Sequence, residues 1–194
     1  MRTILITIFQ AAEAKNILRT NVIKALLADP DMRVVCLTRF PERADYYRKE
    51  IPHDRIVYDS FYKTPKGIAE RMFSFLKFHL IRTETTDLRK RMHRDEGGGY
   101  LVYMLGALFN RLSARRSVRQ IVRFFDYRLV GDPGFGAILE RYQPDVVVFA
   151  HLFDDGEVAL LREAKKRAVP TVGFINSWDK LTARSAVRLL PDTL

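Results

Sequence analysis

Two clusters of polar side chains stand just beyond apolar runs, and both have the make-up of a site. His151, Asp154 and Asp155 follow Val146-Val147-Val148-Phe149-Ala150. An imidazole and two carboxylates can each take a proton from a hydroxyl, so all three are candidate general bases, in the order Asp154, Asp155, His151. Asn176, Ser177, Trp178 and Asp179 follow a second apolar run, Thr171-Val172-Gly173-Phe174-Ile175. An indole flanked by three hydrogen-bonding side chains is costly to bury without partners. It suits stacking on a sugar or base while Asp179 or Asn176 holds hydroxyls. Glu13, Asn16 and Arg19 come after a third apolar run and are candidate contacts to the same substrate. Each cluster also has a plainer reading: one aspartate simply caps a helix, and Trp178 covers the edge of a sheet.

The elements that must hold these residues follow from hydrophobic period. The run 146–150, the amphipathic stretch Glu157 to Ala168 and the run 171–175 read as strand, helix, strand, a βαβ crossover. Such units place functional groups on loops beyond the carboxyl ends of their strands. At the other end, a strand over Thr3 to Phe9 leads to a helix from about Ala14 to Ala28, with Ile17, Leu18, Val22, Ile23, Ala25 and Leu26 at helical spacing. A strand over Arg33 to Thr38, a helix over Glu42 to Lys49 opened by Pro41, and a strand beginning at Arg55 complete the alternation. The expected fold is α/β: a Rossmann-like doubly wound, mainly parallel sheet with a helical insertion, one domain over 1–194.

The insertion spans 66–131. It shows no convincing strand, only helical patterns punctuated by Gly97-Gly98-Gly99 and Gly131-Asp132-Pro133-Gly134. Between Lys66 and Val130 there are 14 Lys and Arg against 6 Asp and Glu, so most of the chain's net charge of +10 lies here. One predicted helix covers Ile68 to Ile81. In another, Arg115, Arg119 and Arg123 recur four residues apart beside an apolar stripe of Val118, Val122, Phe125 and Leu129. Basic, aromatic-rich amphipathic helices can lie on anionic lipid, each basic group contributing on the order of 1 kcal/mol. The alternative is a packed stripe with the arginines as a solvated face. Nucleic acid is the least favoured partner, since no RNA-binding strand pattern, helix-turn-helix or zinc-finger spacing accompanies the charge.

Several chemistries are disfavoured. Cys36 lies in the apolar run Arg33 to Thr38 and reads as a small core residue; one cysteine builds no disulfide framework. His53, His79, His93 and His151 have no paired spacing, so no metal site is expected. Gly134-Phe135-Gly136 lacks the third glycine of a dinucleotide fingerprint, and neither a phosphate-binding Walker loop nor a G-x-S-x-G elbow is present. The run Ile4 to Phe9, with Ala12-Glu13-Ala14, is a minimal imitation of a signal peptide. No apolar run reaches the roughly 18–20 residues of a membrane span; the longest, Tyr100 to Phe109, is about half that.

The order Pro144-Asp145-Val146-Val147-Val148, an acidic loop, Leu160 to Lys166, Val169-Pro170-Thr171-Val172-Gly173 and Ser177-Trp178-Asp179-Lys180-Leu181-Thr182 resembles the amino-terminal domain of GT-B glycosyltransferases. It is most similar to those of bacterial surface-polysaccharide assembly, in which an S-W-D-N-L-T-like segment is common; Lys180 departs from that pattern. The resemblance is good over 142–194, looser over 3–28 and absent in the insertion. It implies the acceptor-side half of an enzyme that transfers sugar from a nucleotide-sugar to a hydroxyl of a glycan or lipid-linked acceptor, without a metal. The donor would bind a second domain beyond Leu194, so this chain alone is expected to bind no cofactor and to be inactive. The expected location is cytoplasmic, peripheral on the inner face of the cell membrane. Two other classes remain open: a non-catalytic membrane-surface module, and a sugar-nucleotide epimerase or polyol-phosphate transferase of similar architecture.

Overall fold

A computed structural model describes residues 1–61, 67–175, 177, 180 and 185–194. They form two compact units: an α/β unit of Met1–Pro65, Asp132–Asn176 and Leu190–Leu194, and a helical unit of Lys66–Gly131 and Ser177–Leu189.

The α/β unit is built on five parallel strands, β1 (Arg2–Ile8), β2 (Met32–Thr38), β3 (Ile56–Ser60), β4 (Val146–Phe149) and β5 (Thr171–Gly173). Their order across the sheet is β3-β2-β1-β4-β5. This is a Rossmann-like doubly wound sheet, and its direction of winding reverses between β1 and β4. Register places Ile6 opposite both Cys36 and Val148. From Ile4 to Ile8 the central strand is buried on both faces, which is why it reads there as an apolar run with one exception, Thr7.

Steps β1→β2 and β4→β5 run in opposite directions, so right-handed crossovers put their helices on opposite faces. The first face carries α1 (Ala11–Ile17), α2 (Asn21–Leu27) and α3 (Pro41–Glu50). Its core is Ile4, Ile6, Ile8, Ala14, Leu18, Ile23, Val34, Cys36, Tyr47 and Tyr58. Burial pushes the Cys36 thiol up to about 12, consistent with an inert core residue. The single helix expected over 14–28 is in fact two. Thr20 divides them: its hydroxyl donates to the Asn16 carbonyl and accepts the Val22 amide, closing α1 and capping α2.

The second face carries α8 (Phe135–Tyr142) and α9 (Asp155–Lys166), which pack on each other. Gly134, at φ +112°, turns the chain into α8, and the Asp132 carboxylate accepts the amides of Gly134, Phe135 and Gly136. The glycine-rich turn before α8 is therefore filled by its own carboxylate. At the end of β5, a Cβ on Gly173 would stand 2.7 Å from both Leu152 Cδ1 and Pro191 Cγ. Gly173→Ala is expected to cost about 1–3 kcal/mol, read as a lowered urea midpoint.

The helical unit contains α4 (Ile68–Leu76), α5 (Glu84–His93), a π-helical turn (Arg94–Gly98), α6 (Tyr100–Ser113) and α7 (Arg116–Leu129). The helix expected to reach Ile81 stops at Leu76. Beyond it, the carbonyls of His79 and Ile81 accept from the Asn110 amide at 2.7 and 2.8 Å, and that of Leu80 from Arg119. Side chains from α6 and α7 thus replace the helical ladder. Asn110 is fully buried in this role. No helix among the described residues is long and apolar enough to cross a membrane.

Candidate functional site

The switch between β1 and β4 gathers a polar network at the carboxyl ends of the strands. The Thr7 hydroxyl donates to Glu157 Oε1 at 2.8 Å and accepts the Ala150 amide at 3.0 Å. Glu157 Oε2 accepts the His151 amide at 2.7 Å. One carboxylate on the first turn of α9 therefore ties together β1, the end of β4 and the loop that follows. Glu157 is fully buried, and desolvation, with Glu13 as a further negative neighbour, holds its carboxyl well above the ordinary range. The two hydrogen bonds to it act the other way and do not offset the burial.

Glu13, also buried, closes the opposite side of the switch. Its Oε2 accepts the amides of Phe9 at 2.6 Å and Gln10 at 2.9 Å, the capping arrangement that starts α1.

Asp154 caps α9, accepting the Gly156 amide at 2.8 Å through Oδ1 and pairing with Arg39 at 2.6 Å through Oδ2. Both of its oxygens are engaged, so the geometry gives it a holding role. The Arg39 guanidinium also lies 5.4 Å from the Phe9 ring centroid. His151 is only 2% exposed, with its ring 5.9 Å from that of Phe153. Asp155, the first residue of α9, is half-buried.

Beside this network, on the α1–α2 face of the sheet, lies an open pocket of about 330 Å³. Its floor is Ile4, Ile6, Val148 and Val172, its walls Ile17, Val22 and Leu26, and Ala150 and Phe174 stand at the strand ends. Glu13 and Asn16 are the polar residues that line it. An apolar cleft of this size with a few convergent polar groups, at a topological switch point, is the usual form of a small-molecule site.

Of the residues expected to contact substrate, Glu13 and Asn16 are brought to this pocket. Arg19 is not among its lining residues; it pairs with Glu50 at 2.8 Å, which raises its already high pKa. Asn176, Trp178 and Asp179 lie outside the described residues, and Ser177 belongs to the helical unit. The expectation that Arg115, Arg119 and Arg123 form one outward basic face is corrected at two of the three. Arg119 donates to the carbonyls of Leu80 and Ala114, each at 3.3 Å. Arg123 donates twice to the Val187 carbonyl, at 3.1 and 3.0 Å, and its burial lowers its pKa. Arg115 is exposed. Among the described residues no cluster of His, Cys, Asp and Glu could hold a metal ion.

Thr7, Glu157 and Arg39 were not singled out from the sequence. Thr7 had a signal: a lone hydroxyl in the middle of Ile4-Leu5-Ile6-Thr7-Ile8, on a strand buried on both faces, must find a partner.

Strand order and crevice together define a Rossmann-like doubly wound α/β unit with its pocket at the β1–β4 switch. A comparison with protein-family models finds no match, and a comparison with curated proteins finds none either. Among solved structures, the chain is similar to a UGT transferase from Siraitia grosvenorii in complex with UDP, at 10% identity and a TM-score of 0.40. The likeness covers 90% of this chain and 28% of that one, so this chain spans little more than a quarter of that protein's length.

Proposed function

We propose that the α/β unit is the acceptor-binding half of a GT-B-like glycosyltransferase, of the kind that acts in bacterial surface-polysaccharide assembly. In this reading the pocket at the β1–β4 switch holds the acceptor and the nucleotide-sugar occupies a second domain. The observation that supports it is the pocket itself. Its lining is apolar except for Glu13 and Asn16, which suits a lipid-linked acceptor over a free oligosaccharide: the apolar part lies along Ile6 and Val148 while Asn16, exposed at the rim, meets hydroxyls.

The acceptor hydroxyl would face the loop after β4. Asp154, committed to Arg39 and the α9 amide, positions that loop. His151 is too enclosed to meet an incoming hydroxyl; in this reading the base is Asp155, half-buried at the start of α9. It would take the hydroxyl proton as the oxygen attacks the anomeric carbon and the nucleoside diphosphate leaves. In glycosyl transfer by any enzyme containing this unit, Asp155→Asn should lower kcat by about 10²–10⁴ with acceptor KM little changed.

Acceptor binding is testable on the chain itself. Titration with octyl glucoside below its micelle concentration, followed by amide chemical shifts, should perturb Ile6, Val148 and Phe174, whereas free glucose should not. Val22→Trp, which places an indole in the pocket mouth, should abolish those shifts. Equal shifts from glucose, or octyl glucoside shifts at the pocket that Val22→Trp leaves intact, would reject the reading.

A further inference from the structure

The helical unit leaves a large apolar surface in water. On α6, Leu101, Met104, Leu105, Leu108 and Leu112 recur at three- and four-residue spacing and are all exposed, from 48% to 72%. Contiguous exposed stripes of this kind mark a binding surface.

What lies beside the stripe identifies the occupant. Met104 and Leu108 form one wall of a depression of about 270 Å³ whose other walls carry four cations, Arg82, Lys90, Arg91 and Arg111, and one carboxylate, Asp87. Asp87 is shared between Arg82 at 3.3 Å and Lys90 at 3.4 Å. Lys90 is further fixed by the Asn110 carbonyl oxygen at 2.6 Å. Arg91 and Arg111 have no carboxylate partner among the described residues. Two guanidiniums and an ammonium lining a depression whose apolar wall is Met104 and Leu108 of the stripe match a headgroup phosphate with its acyl chain alongside.

Charge argues against a second copy of the chain. Bringing two such surfaces together would oppose regions each holding 14 basic against 6 acidic residues. Tyr100 and Tyr103, at the amino-terminal end of α6, have the amphipathic rings favoured at the headgroup level.

We propose that α6 lies in the interface of an anionic membrane, its leucine stripe in the acyl boundary and the Arg82–Lys90–Arg91–Arg111 depression holding a lipid headgroup phosphate. The surface-bound face is thus α6 with the α5 rim, in place of the Arg115, Arg119 and Arg123 row. A helix of 14 residues is about 21 Å long and lies on the bilayer without crossing it. The proposal is independent of the pocket in the α/β unit.

The test is co-sedimentation of the whole chain with vesicles of phosphatidylcholine, alone or mixed with phosphatidylglycerol, over a salt series. The chain should bind the mixed vesicles, and binding should weaken as salt rises. Leu105→Asp with Leu108→Asp should abolish binding while circular dichroism shows the fold retained. Arg91→Ser and Arg111→Ser should each weaken it about fivefold and flatten the salt dependence. Equal binding to both vesicle types, no binding to either, or binding unmoved by these substitutions would overturn the proposal. So would a stable dimer that Leu105→Asp dissociates, which would show a second copy on the stripe.

Discussion

Asp126→Ala is expected to destabilise the helical unit by about 3–5 kcal/mol, the largest effect of any single substitution considered for that unit. Asp126 on α7 and Arg188 are both 2% exposed at their side chains and meet twice, Nε to Oδ2 at 2.7 Å and Nη2 to Oδ1 at 2.9 Å. Arg188 Nη1 also donates to the Ser74 hydroxyl at 3.1 Å. A guanidinium cannot neutralise itself by losing a proton, so removing the carboxylate leaves a buried cation without its counter-charge. A double replacement, Asp126→Leu with Arg188→Met, removes both charges and should return stability to within about 1–2 kcal/mol of the native chain or above it. Thermal melts by circular dichroism decide the matter: the single change should lower Tm sharply and the double change should restore it. A single change without effect would mean that the pair is solvated in solution.

Glu157 should make the α/β unit more stable in mild acid than at neutral pH. Burial raises its folded pKa above the ordinary value of 4.5, so between that value and the raised one the native state binds more protons than the unfolded chain. Stability is then full below the unfolded pKa and declines as pH rises through the folded one. Glu157→Gln, an uncharged near-isostere, should remove this decline. Its amide can serve Thr7 and its carbonyl oxygen the His151 amide. Glu157→Ala should be less stable at every pH, because the Thr7 hydroxyl and His151 amide lose their acceptor at about 1–3 kcal/mol each. Urea midpoints across this range distinguish the three proteins. A native midpoint that rises with pH would place the titration elsewhere.

The sheet was legible because the strands of a parallel sheet show as apolar runs, as β1, β2, β4 and β5 all do. Helix ends were less so. Period alone joins 14–28 into one helix, whereas the break comes from a single hydroxyl, Thr20, bonding backwards and forwards. The arginine row shows the deeper reason: Arg115, Arg119 and Arg123 share one spacing, yet the acceptors of Arg119 and Arg123 include the Leu80 and Val187 carbonyls, 39 and 64 residues away in the chain. Only tertiary packing tells a solvated arginine from one that replaces a helical hydrogen bond. Glu157 was hidden in the same way, standing next to an acidic turn where Asp154 and Asp155 already account for a cap.

At the candidate site, residue type found Glu13 and Asn16, while the pocket floor of Ile4, Ile6, Val148 and Val172 appears in the sequence only as core. A half-covered sheet face and a fully covered one have the same pattern.

A crystal structure of the chain with octyl glucoside would show whether the pocket at the β1–β4 switch is an acceptor site. The alkyl chain is expected along Ile6 and Val148 with the sugar hydroxyls at Asn16. An amphiphile found on the α6 stripe, with the pocket filled only by solvent, would contradict it.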